Sequence, residues 1–224
     1  AEYDLVGIGN ALVDVLAPVE DTFLEAHALD KGAMTLVDNE RSAEIYKDMP
    51  PAQEVSGGSC GNTMAGFASL GGKGAYIGKV RDDQLGAVFS QDLKAVGVDY
   101  PMRAATEGPS TARCLIFVTP DADRTMQTYL GVSVMLGPED IDPETIGDAQ
   151  ITYLEGYLFD RDEAKEAFVK AAELAHAKSE VTRLEGELRG ARSEARRLAV
   201  ENEALREQLC TSILSPSASG PMLV

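Results

Sequence analysis

The run Gly57-Gly58-Ser59-Cys60-Gly61-Asn62 contains residue types that could do chemistry. Glycines let backbone amides approach a ligand closely, and a helix that starts just after them offers its N-terminal amides as well. Asn62 adds a side-chain amide able to hydrogen-bond a hydroxyl. A plain tight turn would use the same glycines, so the run alone leaves both readings open. A second pair, Asn10 and Asp14, follows an apolar strand expected at Tyr3–Ile8. Polar side chains past the carboxyl end of a parallel strand lie where α/β sheets bind ligands. An amide and a carboxylate suit the paired hydroxyls of a sugar, although a turn or a helix cap would also account for them.

Several other chemistries are excluded. Gly71-Gly72-Lys73-Gly74 lacks the spacing of a Walker A loop, and Gly7-Ile8-Gly9-Asn10 is no dinucleotide fingerprint because Leu stands at position 12. Cys60, Cys114 and Cys210 stand too far apart for a disulfide framework or a zinc site. His27 and His176 have no neighbouring metal ligand in the sequence, so no metal site is expected. The net charge of −17 falls wholly on residues 1–177, with 13 Lys/Arg against 30 Asp/Glu. Residues 178–224 carry 7 of each. Phosphate contacts need Lys and Arg, so nucleic acid is not an expected partner, and the acidity reads as solubility. No apolar run reaches about 18 residues, so no membrane span is expected. No basic region precedes an apolar stretch at the N-terminus, which makes a cytoplasmic location the expectation.

The elements that must position these residues alternate. Strands are expected at Tyr3–Ile8, Ala33–Val37, Gly74–Gly78 and Ile151–Leu154. Helices are expected at Asp21–Ala28, Asn39–Tyr46 with Asn39 as cap, Thr63–Leu70, Asp82–Val96 and Asp162–His176. Thr111–Thr119 and Arg124–Leu130 flank Pro120-Asp121-Ala122-Asp123 and read as a β-hairpin. The alternation predicts an α/β domain with a mainly parallel sheet, while the hairpin and Ala33–Val37 fit a small second sheet.

From Lys178 the texture changes. Val181, Leu188, Ala195, Asn202 and Leu209 take position a of a heptad, and Leu184, Ala191, Leu198 and Leu205 take position d. A lone Asn202 at position a is a register device of parallel dimers. Glu187 and Glu201 at position g would meet Arg192 and Arg206 at position e of a parallel partner. A homodimer through residues 181–209 is therefore expected, against the alternative of a single solvated helix or one packed on its own domain. Gly186, Gly190 and the small Ala191 and Ala195 weaken the seam. The preceding helix marks a different apolar face, and no Gly or Pro separates the two before Gly186, so one continuous helix is compatible with both. Residues 210–224 are rich in Ser, Pro and Gly and read as a disordered tail.

Taken together, Asn10-Ala11-Leu12-Val13-Asp14, Gly57-Gly58-x-x-Gly61-Asn62-x-x-x-Gly66-x-x-x-x-Gly71 and Gly78 resemble the N-terminal signature of ribokinase-like (PfkB-type) carbohydrate and nucleoside kinases. Gly108-Pro109-Ser110-Thr111-Ala112-Arg113 and Arg124-Thr125-Met126 resemble the lid hairpin of that family. Leu154-Glu155-Gly156-Tyr157 resembles the strand end beside its sugar pocket. The resemblance covers residues 1–177 and leans toward the adenosine-kinase-like branch. It implies that Asn10, Asp14, Gly57, Gly58 and Asn62 bind sugar hydroxyls. It implies that Glu155 lines the pocket, a capping or surface carboxylate being the alternative. Arg124 would reach from the lid to stabilise charge on the transferring phosphate.

The same resemblance implies ATP and Mg²⁺, yet the half of the family that binds them has no counterpart in this sequence. An Asn-x-x-Glu motif for Mg²⁺ and phosphate does not occur, nor does the Gly-Ala-Gly-Asp segment that would carry an anion hole and the catalytic base. The expectation is a truncated or hybrid chain: a kinase-derived substrate half and lid (1–177), a coiled-coil helix (178–209) and a tail (210–224). As it stands, this chain is expected to be inactive. Two alternatives remain: an assembly module with the kinase half as cargo, and an active sugar or adenosine kinase completed by another chain.

Overall fold

A computed structural model describes residues 2–159 and 161–214, with side chains to residue 208. The chain divides after His176 into two units. The strands are β1 (Tyr3–Ile8), β2 (Leu12–Pro18), β3 (Met34–Leu36), β4 (Gln53–Gly57), β5 (Gly74–Ile77), β6 (Val98–Asp99), β7 (Ala112–Val118), β8 (Arg124–Tyr129) and β9 (Ala149–Leu154). The helices are α1 (Asp21–Ala26), α2 (Asn39–Asp48), α3 (Ser59–Ser69), α4 (Gln84–Ala95), α5 (Pro143–Gly147) and α6 (Asp162–Leu214).

In the first unit the strands form two sheets. One is parallel, in the order β6-β5-β1-β9. Its central strands β1 and β5 are mostly apolar and run into fully buried residues, as parallel strands inside a covered sheet do, whereas the outer strand β9 leaves Gln150 and Ile151 exposed. Val6, Ile8, Ala75 and Ile77 belong to one buried cluster, which the start of α6 completes with Ala164, Ala167 and Ala171. The small alanines recur at helical spacing on one face, letting that helix lie close to its neighbours. A second cluster joins α3, α4 and the other sheet through Cys60, Met64, Tyr76, Phe89, Leu93 and Phe117.

The second sheet has five strands in the order β3-β8-β7-β2-β4, larger than the small sheet expected from sequence. It contains the predicted hairpin and Met34–Leu36, together with two strands that sequence reading missed, β2 and β4. Val13, Val15 and Ala17 of β2 are fully buried on the core face. Leu12, Asp14 and Leu16 must then point to the other face. Asp14 thus sits mid-strand and is neither in a turn nor at a helix cap.

Helix starts also differ from expectation. Asp38, rather than Asn39, caps α2 by accepting from the Arg41 amide. The third helix begins at Ser59, so Asn62 lies on the helix and Gly57 ends β4. In the second unit α6 continues to Leu214, five residues into the segment expected to be disordered. The remainder of that expected tail, 215–224, lies outside the described residues.

Candidate active site

The site lies on the face of the second sheet opposite its core. Register places Asp14 beside Cys114, Cys114 beside Thr128, and Thr128 beside Leu36. The next rung aligns Ile116, Met126 and Met34. Arg124 starts β8 opposite Val118. A cavity of about 680 Å³ opens over these rungs. Six of the seven residues picked out from sequence line it: Asn10, Asp14, Gly58, Asn62, Arg124 and Glu155. Gly57 does not line it but stands directly against Asp14.

That contact explains the glycine. A Cβ at Gly57 would lie 2.3 Å from Asp14 Cγ, so any side chain would displace the carboxylate. The next residue, Gly58, has φ +84°, a left-handed conformation that glycine adopts without strain, and it caps α3. Gly57→Ala should therefore weaken ligand binding at least tenfold, roughly the 1.4 kcal/mol that such a factor represents. Isothermal titration of the variant checks this, and unchanged affinity would show that the carboxylate position is not critical.

Burial disfavours the charged form of Asp14 and pushes its pKa up to about 6, while the Arg124 guanidinium pulls in the opposite direction. Such a carboxyl gains most when a ligand supplies hydrogen-bond donors to it. Cys114, its neighbour across the rung, is not a poised thiolate. Burial pushes its pKa up to about 11, and the Thr128 hydroxyl donates to its sulfur at 3.2 Å.

Glu155 organises the floor. It is 3% exposed, and its two oxygens receive three donors. These are the Asn10 amide at 2.7 Å, the Cys60 amide at 2.9 Å and the Ser59 hydroxyl. The carboxyl group thereby caps α3 and fixes the β1–β2 link in one contact set. Glu155 thus accepts from the first turn of α3 and also borders the cavity. Asn10 is also held by its side chain, whose Oδ1 accepts from the Ser133 hydroxyl at 3.1 Å. Its NH₂ is the part of the amide left for a ligand.

Sequence reading missed the apolar wall. Leu12, Met34, Leu36, Ile116, Met126, Tyr157 and Phe159 line the same cavity. Met34, Leu36, Tyr157 and Phe159 are more than half exposed. Large apolar side chains gathered at the rim of a concave site mark a surface for an apolar ligand group. The available signal was the period-two pairing of Cys114 with Ile116 and of Arg124 with Met126 and Thr128 along the hairpin.

Among the described residues no group of three or more His, Cys, Asp and Glu could hold a metal ion. No helix among them is long and apolar enough to cross a membrane.

A pfkB family carbohydrate kinase model matches residues 29–198. Adenosine kinase from Sinorhizobium meliloti is 50% identical, with a TM-score of 0.74 over 80% of this chain and 55% of that one. A Rhizobium etli protein described as a "probable sugar kinase" is 48% identical, with a TM-score of 0.73 over 79% of this chain and 54% of that one. "Probable fructokinase-3" of Arabidopsis thaliana is 26% identical over 60% of this chain and 39% of its own length. The chain thus spans little more than half of the solved relatives and about two fifths of the plant protein.

Proposed function

The chain belongs to the pfkB family of carbohydrate kinases, and on that premise we propose that its first unit binds a nucleoside without transferring phosphate by itself. The observation that carries this reading is one cavity combining the half-buried Asp14 carboxyl with the exposed apolar wall of Met34, Leu36, Tyr157 and Phe159. A ribosyl group offers hydroxyls to Asp14, Asn10, Asn62 and the amides near Gly57 and Gly58. A base offers a flat apolar face to the wall. A bare sugar would satisfy the polar floor and leave the wall in water. The likeness to the Sinorhizobium adenosine kinase supports the same choice.

Arg124 acts in this reading as the lid cation that would meet a phosphate, its fixed charge and fork geometry suiting that role. Glu155 is a positioning residue. The family implies ATP as phosphoryl donor, but the residues present do not fit Mg²⁺ and a nucleotide. Asn-x-x-Glu and Gly-Ala-Gly-Asp do not occur in the sequence, and the described residues hold no metal cluster. Without a base or an anion hole, the chain as it stands holds an acceptor and lacks the transfer machinery.

A product assay with ATP, Mg²⁺ and adenosine should show no adenosine phosphate above the blank, while isothermal titration shows that adenosine binds. Turnover abolished by Asp14→Ala would overturn the claim of inactivity. Absence of binding would overturn the pocket. One observation favours a second reading, completion by another chain. Strand β9 is the outer strand of the parallel sheet, and its Ile151 is 62% exposed. Turnover restored by adding the family's C-terminal half as a separate chain would support it.

A further inference from the structure

The second unit is helical, and every described residue from Ala177 to Gln208 is exposed. That is unusual for a helix of this length that contains two glycines. Each glycine is less favourable in a helix interior than alanine, and most helices in proteins owe their stability to burying an apolar face. Here Val181, Leu184, Leu188, Leu198 and Leu205 form such a face, and each is 49–58% exposed. Gly186 and Gly190 fall at heptad positions f and c, away from that seam.

We infer that this face is covered by the same face of a second copy of this chain, in a parallel, in-register two-stranded coiled coil. Charge decides the partner and its direction. Position g is acidic in four successive heptads: Glu180, Glu187, Glu194 and Glu201. Position e reads Glu185, Arg192, Ala199, Arg206. An antiparallel pair sets g against g and would align the four glutamates with one another. A parallel pair sets each g against the following e of the partner. Glu187 then meets Arg192 and Glu201 meets Arg206, Glu194 meets a neutral alanine, and only Glu180 meets a like charge at Glu185. Within each helix Arg183 bonds Glu180 and Glu187, and Arg197 bonds Glu194 and reaches Glu201, which moderates the acidic row. Asn202 at position a pairs with its own copy only in this register and favours two strands over three.

The full chain tests this in three measurements. Sedimentation equilibrium should give about twice the 23.9 kDa chain mass, falling to the monomer on dilution. Arg192→Glu with Arg206→Glu should weaken association roughly tenfold or more, and mixing that variant with Glu187→Arg/Glu201→Arg should restore pairing as heterodimers. Asn202→Leu should tighten association and admit larger oligomers. In a Cys210→Ser background, Asn202→Cys should form an interchain disulfide on mild oxidation, because only parallel, in-register helices bring position 202 against itself. The inference is overturned by a monomer at every concentration, a trimer in the wild type, indifference to the charge reversal, or failure of the 202 pair to crosslink.

Discussion

Glu155→Ala should destabilise the first unit by about 3–5 kcal/mol, because three donors converge on a carboxyl group only 3% exposed. Truncation strands the Asn10 and Cys60 amides and the Ser59 hydroxyl together, and it uncaps α3 at the point where that helix meets the cavity. Glu155→Gln keeps the volume but turns one acceptor into a donor facing another donor, so its cost should be about 1–3 kcal/mol. All seven tyrosines lie within residues 3–157 and the chain has no Trp, so near-UV tyrosine dichroism in a urea titration reports on this unit alone. A loss below 1 kcal/mol for Glu155→Ala would mean that the three contacts do not hold the floor together.

Asp14→Asn should move stability and binding in opposite directions. The folded-state pKa of Asp14 is about 6, above the ordinary 3.8. Between those values the folded chain retains a proton that the unfolded chain has released. The stability contribution therefore falls as pH rises through this window, and the full penalty is present above about pH 6. After allowance for partial contact with solvent, the penalty is on the order of 2 kcal/mol. Asparagine removes it, so the variant should be more stable than wild type at pH 7.5 and indistinguishable from it below about pH 4. Nucleoside affinity should fall by roughly a hundredfold, since a charged acceptor shared by two hydroxyls contributes about 1.5–3 kcal/mol per bond. For the wild type, affinity should weaken as pH drops below about 6, because protonation removes that acceptor. A variant that loses stability, or binds as well as wild type, would contradict the role given to Asp14. Sites that sacrifice stability for binding commonly behave in this way.

Three of the four strands of the parallel sheet were legible in the sequence, two of them as short apolar runs closed by glycines at Tyr3–Ile8 and Gly74–Ile77, whereas the two-residue β6 at Val98–Asp99 is too short to leave a pattern. The hairpin was legible from Pro120–Asp123 between two β-branched runs. Strand β2 was not. Leu12, Val13, Val15, Leu16 and Ala17 include apolar residues on both faces, so the alternation that reveals a half-buried strand is filled in, and Asp14 looks like a break. Strand β4 has Val55 as its one large apolar residue and exists because β2 offers it a partner. Propensity carries little weight where such pairing decides.

The polar residues of the candidate site were singled out by the family resemblance, and six of those seven border one cavity. The apolar half of the site was not singled out. Leu36, Thr128, Cys114 and Asp14 become one rung only through the register of strands far apart in sequence. At the other end, the boundary expected near residue 177 falls inside a single helix. Backbone geometry does not mark the change there. The marker is the loss of buried positions after Ala171, Leu174 and Ala175. The family match itself runs on to residue 198.

The most direct test of the central claim is a paired isothermal titration of the full chain at pH 7.5 with adenosine and with D-ribose. The two-part cavity predicts one adenosine site per chain and ribose binding at least tenfold weaker, because the base would cover the apolar wall. Equal affinities, or no heat with adenosine, would contradict it.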